Sequence, residues 1–179
     1  MLRTFPRRFW IGVIIIMGLS AWVGWINFHD TYDDAFIIFR YAYNFATGEG
    51  FVYNTDARFF GLTAPLYGLL LGILGIPWPS QIPTIAGLVS VLSLTATGVG
   101  LATWGILKEK WAAGFLAGAF FVVNHLLLHT FGGEMLFLLA LVVWAFVAYE
   151  ADKTNWAVVL LPSPYSPAPT PSSLLGLSA

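Results

Sequence analysis

The sequence predicts an all-α integral membrane protein with about four transmembrane helices and external juxtamembrane helices in its first loop. Of the 179 residues, 58% are hydrophobic and 9% are charged, whereas soluble domains carry about one-quarter charged residues. Four apolar runs contain no Asp, Glu, Lys or Arg, and about 20 such residues cross a bilayer. After the first run comes an acidic, aromatic stretch, HDTYDDAFIIFRYAYNFATGEGFVYN, which a plain anchor does not need.

The first run, residues 9–28, follows the basic sequence MLRTFPRR. At ~1.5 Å per residue it is long enough to cross a ~30 Å hydrocarbon core. A cleaved signal peptide is the competing interpretation, but Trp22 and Trp25 crowd the candidate cleavage site LSAWVGW. We therefore expect this segment to be retained as the first span.

Three later runs, residues 84–107, 111–131 and 135–149, predict the remaining spans. Between them and the first span lies TAPLYGLLLGILGIP, which is apolar but bounded by Pro65 and Pro77. It is too short for a span and suits an interfacial or re-entrant helix. The external loop then covers residues 29–83.

The distribution of basic residues gives the expected sidedness, because cytoplasmic loops are enriched in Lys and Arg. With four spans, two basic residues, Arg40 and Arg58, lie outside, and six lie on the cytoplasmic side: Arg3, Arg7, Arg8, Lys108, Lys110 and Lys153. If the segment after Pro65 also spanned, this asymmetry would be reversed. We expect a multi-pass protein of the cytoplasmic membrane with both termini inside and with Asp33, Asp34 and Glu134 outside.

Before the short interfacial or re-entrant helix, the external loop is expected to form another helix over residues 35–46. Asp34 suits its N-cap, and Gly48 and Gly50 suit its end. Spacings of seven and four put Asp33, Arg40 and Asn44 on one face. In a functional interpretation Asp33 is a base or metal ligand and Arg40 binds a phosphate. In the alternative, an aqueous loop contains two acids, one of which is a cap.

Glu134 follows FGG and precedes an apolar run, so it lies at a membrane boundary, where ionisable groups are often functional. With Asp33 it would supply hard oxygen ligands for Mg²⁺, Mn²⁺ or Ca²⁺. The alternative is an acid that caps a helix start or snorkels.

Two further patterns favour structural roles. His125 and His129 share a helical face, but HLLLH lacks the glutamate of a zinc-protease motif, so interfacial hydrogen bonding is preferred. Gly114 and Gly118 form GFLAG, a pattern that permits close contact with another helix. The tryptophans near the span ends are typical of an interfacial belt.

Several function classes are excluded or disfavoured. A net charge of −1 gives no reason to expect a nucleic-acid partner, and the absence of cysteine excludes disulfides and thiolate metal sites. The sequence has no G-x-x-x-x-G-K-[ST], G-x-G-x-x-G or G-x-S-x-G motif, which argues against a nucleotide-driven enzyme or a serine hydrolase.

The segment YDDAFIIFRYAYNFATGEGFVYNTDARFFGLTAPLYGLLLG resembles the first external loop of the GT-C superfamily of membrane glycosyltransferases. It is most similar to bacterial arabinofuranosyltransferase-like and mannosyltransferase-like members, and the resemblance extends from Trp10 to about Tyr149. It implies transfer of a sugar from a polyprenyl-phosphate carrier to an acceptor outside the membrane, by an inverting single displacement. A divalent cation, Mg²⁺ or Mn²⁺, is an expected cofactor, and the lipid-linked sugar is the expected donor.

The resemblance also implies roles for particular residues. Asp33, with Asp34, matches the catalytic or metal-binding carboxylates that open the family's loop, and GGEMLF supplies the second external acid at Glu134. The family pattern R-Y/F-A-x-N is matched at donor-binding positions by three residues: Arg40, Tyr41 and Asn44. Phe59 and Phe60 stand where the family often has an acid.

The chain is shorter than members of this family, and its composition changes at Pro162. Residues 1–161 form the expected membrane domain, and residues 162–179, PSPYSPAPTPSSLLGLSA, have no charge and are too rich in proline for a helix. We expect an N-terminal fragment of a longer protein, inactive if later helices build the substrate sites. The alternatives are a non-catalytic membrane subunit and a small transporter component.

Overall fold

The computed structural model describes residues 6–28, 31–56 and 61–151, in which all regular secondary structure is helical. The helices are α1 (Arg7–Asn27), α2 (Ala35–Ala46), α3 (Pro65–Gly75), α4 (Ile82–Leu107), α5 (Trp111–Val122), α6 (His125–Leu128) and α7 (Glu134–Glu150). A 3₁₀ turn, Pro79–Gln81, leads into α4. The all-α class is therefore confirmed for this part of the chain. The proline-rich tail, Arg3, Arg58 and Lys153 lie outside the described residues.

Two helical segments, Arg7–Asn27 and Pro79–Leu107, are long and apolar enough to cross a membrane. They correspond to the first two predicted spans, whereas the other two predicted spans are not confirmed. With 12 residues, α5 is about 18 Å long, and α7, with 17 residues, is about 25 Å long.

The predicted span over residues 111–131 is not one continuous helix. Its first part, α5, ends at Val122, and Asn124 starts the one-turn helix α6 by accepting a hydrogen bond from the Leu126 amide at 3.1 Å. An asparagine side chain competes in this way with helix continuation because it bonds nearby backbone groups. His129 is consequently the C-cap of α6 and does not lie within a long helix.

The long helix α4 is the centre of the bundle and packs against α1, α5 and α7. One apolar core joins them through Ile16, Leu94, Val122, Phe131 and Leu136. All five are at most 1% exposed. The interior of the bundle is thus built from residues of all the predicted spans.

Glycines bring α4 and α5 into close contact. A Cβ atom added at Gly114 would lie 2.6 Å from the Cα of Gly105 and 2.6 Å from the carbonyl oxygen of Leu101, and one at Gly118 would collide with the backbone of Gly98. Small residues allow such backbone approach in membrane helices. The helix that the GFLAG motif contacts is therefore α4 of the same chain.

A second layer consists of α2 packed on α3, which in turn contacts α4. Its core contains Ile38, Tyr41, Tyr67, Leu71 and Ile82, each at most 3% exposed. With 11 residues, α3 is about 16 Å long, as predicted for a segment that is too short to span.

The bundle has two chemically different ends. At the first, which we call the basic end, Lys108 forms a 2.6 Å ion pair with Glu150, and the guanidinium of Arg8 lies 5.0 Å from the Trp111 ring centroid. These contacts join the start of α1, the end of α4, the start of α5 and the end of α7. The opposite end carries α2, α3 and the start of α7, and with them the acidic residues of the predicted site.

Candidate functional site

The first half of the candidate site is the turn that opens α2. The backbone carbonyls of Asp33 and Asp34 accept hydrogen bonds from Phe36 and Ile37 at 3.0 and 3.1 Å. Asp34 occupies the N-cap, as predicted, but its carboxylate makes no capping hydrogen bond to the described backbone. Both aspartate side chains are exposed. The turn therefore uses their backbone and leaves both carboxylates open to solvent.

The second half is Glu134, the first residue of α7. Its Oε2 accepts a hydrogen bond of 2.9 Å from the Tyr32 hydroxyl, and a carboxylate in a first turn is stabilised by the helix dipole. Tyr32 directly precedes Asp33. The structure thus brings the aspartate turn and Glu134, which the sequence predicts as parts of one site, to the same end of the bundle.

The two glycines before Glu134 make this contact possible. A Cβ atom at Gly133 would collide with the Tyr32 ring, and Gly132 has φ +86°, which disfavours any residue with a side chain. Gly132 donates its N–H to Ser90 Oγ at 2.9 Å, and its carbonyl accepts from the Tyr67 hydroxyl at 3.0 Å. The Gly-Gly-Glu turn is fixed by three elements: the Tyr32 turn, α3 and α4.

Both tyrosine hydroxyls of this site are held in the protonated state. Burial raises the pKa of Tyr32 above its ordinary range, and its hydrogen bond to Glu134 and the charge of that carboxylate raise it further. Burial likewise raises the pKa of Tyr67; a hydrogen bond with Ser90 opposes this rise, and the charge of Glu134 adds to it. Each tyrosine therefore serves as a hydrogen-bond donor at neutral pH and not as a base.

Arg40 and Asn44, two of the three residues predicted to share one face with Asp33, both bond to the Tyr53 carbonyl. The Asn44 side-chain nitrogen donates to the carbonyls of Val52 and Tyr53 at 2.8 and 2.9 Å, and Arg40 Nε donates to Tyr53 at 3.3 Å. Asn44 is 3% exposed, whereas Arg40 is exposed. Asn44 therefore fixes the loop after α2, while the Arg40 guanidinium stays accessible to a ligand.

Tyr41 is also an internal residue. It is 1% exposed, and its hydroxyl accepts a hydrogen bond of 2.9 Å from the Gly61 amide. Its ring packs against Phe51 and Tyr53 at centroid distances of 5.6 and 5.8 Å. Of the three predicted donor-binding residues, Tyr41 and Asn44 thus bind the chain's own backbone and shape the loop.

Gly48 and Gly50 end α2 as predicted. Their φ angles are +86° and +93°, a region that glycine enters without a steric penalty. The chain consequently reverses after Thr47 and returns along the face of Arg40 and Asn44.

Within residues 6–28, 31–56 and 61–151, no three His, Asp or Glu side chains converge on a point that could hold a metal ion. The acids of the candidate site are Asp33, Asp34 and Glu134. Mg²⁺ keeps several waters and is commonly bound by one or two carboxylates together with substrate phosphates. These acids do not form a preformed cage.

Sequence reasoning missed three residues of this site: Tyr32, Tyr67 and Ser90. The position of Tyr32 beside two aspartates was an available signal, and so was the tyrosine of TAPLY at Tyr67. For Ser90 no local signal exists, because it lies inside an apolar helix and its partner is 42 positions away.

Comparison of the chain with protein-family models, with curated proteins and with solved structures gave no match.

Proposed function

We propose that this chain is the N-terminal part of a membrane glycosyltransferase that transfers a sugar from a polyprenyl-phosphate carrier to an external acceptor. The observation that carries the proposal is the 2.9 Å hydrogen bond between Tyr32 and Glu134. It joins the aspartate-bearing turn to the second acid at one end of the bundle. A plain anchor has no need of such a contact between ionisable groups.

The proposed setting is a lipid bilayer. The first helix exposes large apolar side chains along its length, with Ile14 at 68% and Trp25 at 84% exposure. In water such a surface would favour association or aggregation, whereas acyl chains solvate it. If the basic end faces the cytoplasm, the acids and Arg40 face outward. The proposed topology has four crossings, with α5 and α6 as a broken third one.

In the proposed reaction Asp33 acts as general base. Its carboxylate takes the proton from the acceptor hydroxyl while that oxygen attacks the anomeric carbon of the sugar. The bond from the anomeric carbon to the carrier phosphate breaks, and the phosphate leaves with the electron pair. Arg40 stabilises the developing negative charge, since its planar guanidinium matches two phosphate oxygens.

The other residues of the site support Asp33 and Arg40. Glu134, oriented by Tyr32, would bind a sugar or acceptor hydroxyl, and Asp34 would keep the local field negative. Tyr41 and Asn44 hold the loop against which Arg40 lies. A divalent cation, if used, would be held by Asp33 and Glu134 together with the donor phosphate, and it would neutralise that phosphate.

The test is a transfer assay with radiolabelled polyprenyl-phosphate sugars in membranes that contain either this chain or a longer reading frame of the same locus. Transfer by the longer form, reduced by a factor of about 100 or more in Asp33→Asn, is the expected result. Asp56→Asn changes another exposed acid of the same loop and should retain activity. Wild-type transfer by Asp33→Asn would exclude the proposed base.

One observation favours a second candidate, a non-catalytic membrane subunit: Tyr41 and Asn44 are buried and bonded to backbone. Such a subunit would keep its partner when Asp33→Asn and Glu134→Gln are combined. The glycosyltransferase proposal also expects that double variant to assemble normally, but it adds that sugar transfer is lost. If neither this chain nor the longer form, each shown to be folded, transfers sugar from any donor of a panel, the subunit function is preferred.

A further inference from the structure

An open groove of about 550 Å³ lies between α4 and α5 at the basic end of the bundle, opposite the end that carries Asp33 and Glu134. Its walls are mainly apolar, and two lysines stand at its mouth. The lining residues are Leu101, Trp104, Gly105, Lys108, Lys110, Ala113, Gly114 and Ala117.

The groove exists because small residues meet at the helix contact. Gly105 and Gly114 are in backbone contact and form its floor, and the methyl groups of Ala113 and Ala117 do not fill the space above them. Trp104, 42% exposed, forms one wall. The result is an open apolar groove with room for a hydrocarbon chain.

The lysines at the mouth give the groove its charge. The ammonium group of Lys108 is paired with Glu150 at 2.6 Å and its side chain is still 47% exposed. Lys110 is exposed, and its backbone is fixed by hydrogen bonds to Gly105 at 2.7 Å and from Gly114 at 3.1 Å. Among the described residues at this end, the cations Arg7, Arg8, Lys108 and Lys110 outnumber the acids Glu109 and Glu150.

We propose that this groove binds one anionic phospholipid. One of its acyl chains lies along Leu101, Trp104 and Ala117. Its phosphate accepts hydrogen bonds from Lys110 and from Lys108, which is also paired with Glu150. Lysine stems lie along apolar walls while their ammonium groups reach the headgroup level, and basic pockets between helices select anionic lipids. The inference relies on the bilayer setting proposed above but not on sugar transfer.

The experiment is native mass spectrometry of the full chain in a neutral detergent, titrated with phosphatidylglycerol or with phosphatidylcholine of the same acyl chains. We expect one phosphatidylglycerol to bind at concentrations at which phosphatidylcholine does not. Lys110→Gln should weaken this binding about fivefold, the effect of one lysine near an anionic headgroup. Glu150→Gln frees Lys108 and should strengthen it.

The acyl-chain half of the proposal has its own matched pair of variants. Ala117→Leu fills the groove and should weaken phosphatidylglycerol binding, whereas Ala112→Leu adds the same bulk to an exposed neighbour outside the groove and should not. Both variants are first checked for an unchanged unfolding temperature. Soluble glycerol phosphate, which has the charge without the chain, should not compete.

Three results would overturn the proposal: equal affinity for the two lipids, equal effects of Ala117→Leu and Ala112→Leu, or full competition by glycerol phosphate. The last would indicate a site for free anions. None of these measurements depends on transferase activity, so a failed sugar-transfer assay with intact lipid binding would refute only the proposed function.

Discussion

The hydroxyl of Tyr32 and the carboxylate of Glu134 are joined by a 2.9 Å hydrogen bond across 102 positions of sequence. The two residues belong to the turn before α2 and to the first turn of α7. Because Tyr32 is next to Asp33, this bond fixes how the acidic turn lies against the bundle. The geometry of the candidate site therefore depends on a contact between its two halves.

Removing this bond should loosen the site with little effect on the rest of the bundle. For Tyr32→Phe we expect a loss of about 1 kcal/mol in the free energy of unfolding, because one partly exposed hydrogen bond to a carboxylate is lost. Urea or thermal unfolding in a neutral detergent measures it. Tyr43→Phe removes the hydroxyl of an exposed tyrosine on α2 and should have no effect; equal losses would argue against a special role for Tyr32.

Gly133 should not tolerate even a methyl group. Gly133→Ala brings a Cβ atom into collision with the hydroxyl-bearing edge of the Tyr32 ring, so the turn must shift, at a cost of about 1–3 kcal/mol. The matched control is Gly18→Ala, where no atom lies within 4 Å and where alanine is the better helix residue. Thermal unfolding should show a lower midpoint for the first variant and an unchanged or higher one for the second.

Asn44 should be important for stability even if it never contacts a donor. Asn44→Ala removes the side-chain donor of the Val52 carbonyl and leaves the Tyr53 carbonyl with Arg40 alone, which should destabilise the protein by about 1–2 kcal/mol. It should also increase proteolysis of the loop after α2. Asn54→Ala, at an exposed position of that loop, is the control, and a stable Asn44→Ala protein would contradict the structural role.

Alkaline pH should destabilise the folded protein through the hydroxyls of Tyr32 and Tyr67. The folded-state pKa values of Tyr32 and Tyr67 are raised above the ordinary value of about 10. Their contribution to stability is therefore complete below pH ~10 and is lost as the pH rises further, since the unfolded chain releases these protons first. Unfolding midpoints measured from pH 8 to 11.5 should fall less in the Tyr32→Phe and Tyr67→Phe double variant than in wild type.

Local signals predicted the helices of the loop well. The helix α2 has the predicted bounds because the chain supplies a turn residue at Asp34 and glycines with positive φ after Thr47. The short length of α3 follows from Pro65, which starts it, and from Pro77, before which it ends. These are backbone effects of single residues, which act without tertiary context.

The break in the third predicted span was not anticipated. Residues 111–131 are uniformly apolar apart from Asn124, His125, His129 and Thr130, and hydropathy treats such a run as one helix. The structure ends α5 at Val122, and the turn containing Gly132 then docks on Ser90 and Tyr67. Where the chain turns was decided by these distant partners together with the Asn124 cap.

By itself, the sequence determined the helical class, the apolar surface, the separation of Lys108 and Lys110 from the acids of the candidate site, and the positions of α2 and α3. These follow from composition, charge order and the backbone preferences of proline and glycine. Only the tertiary structure decided that Tyr32 binds Glu134, that Tyr41 and Asn44 are internal, and that Gly114 contacts Gly105. Hydrogen bonds and close packing between distant residues depend on how the helices are placed in space, which local sequence patterns do not specify.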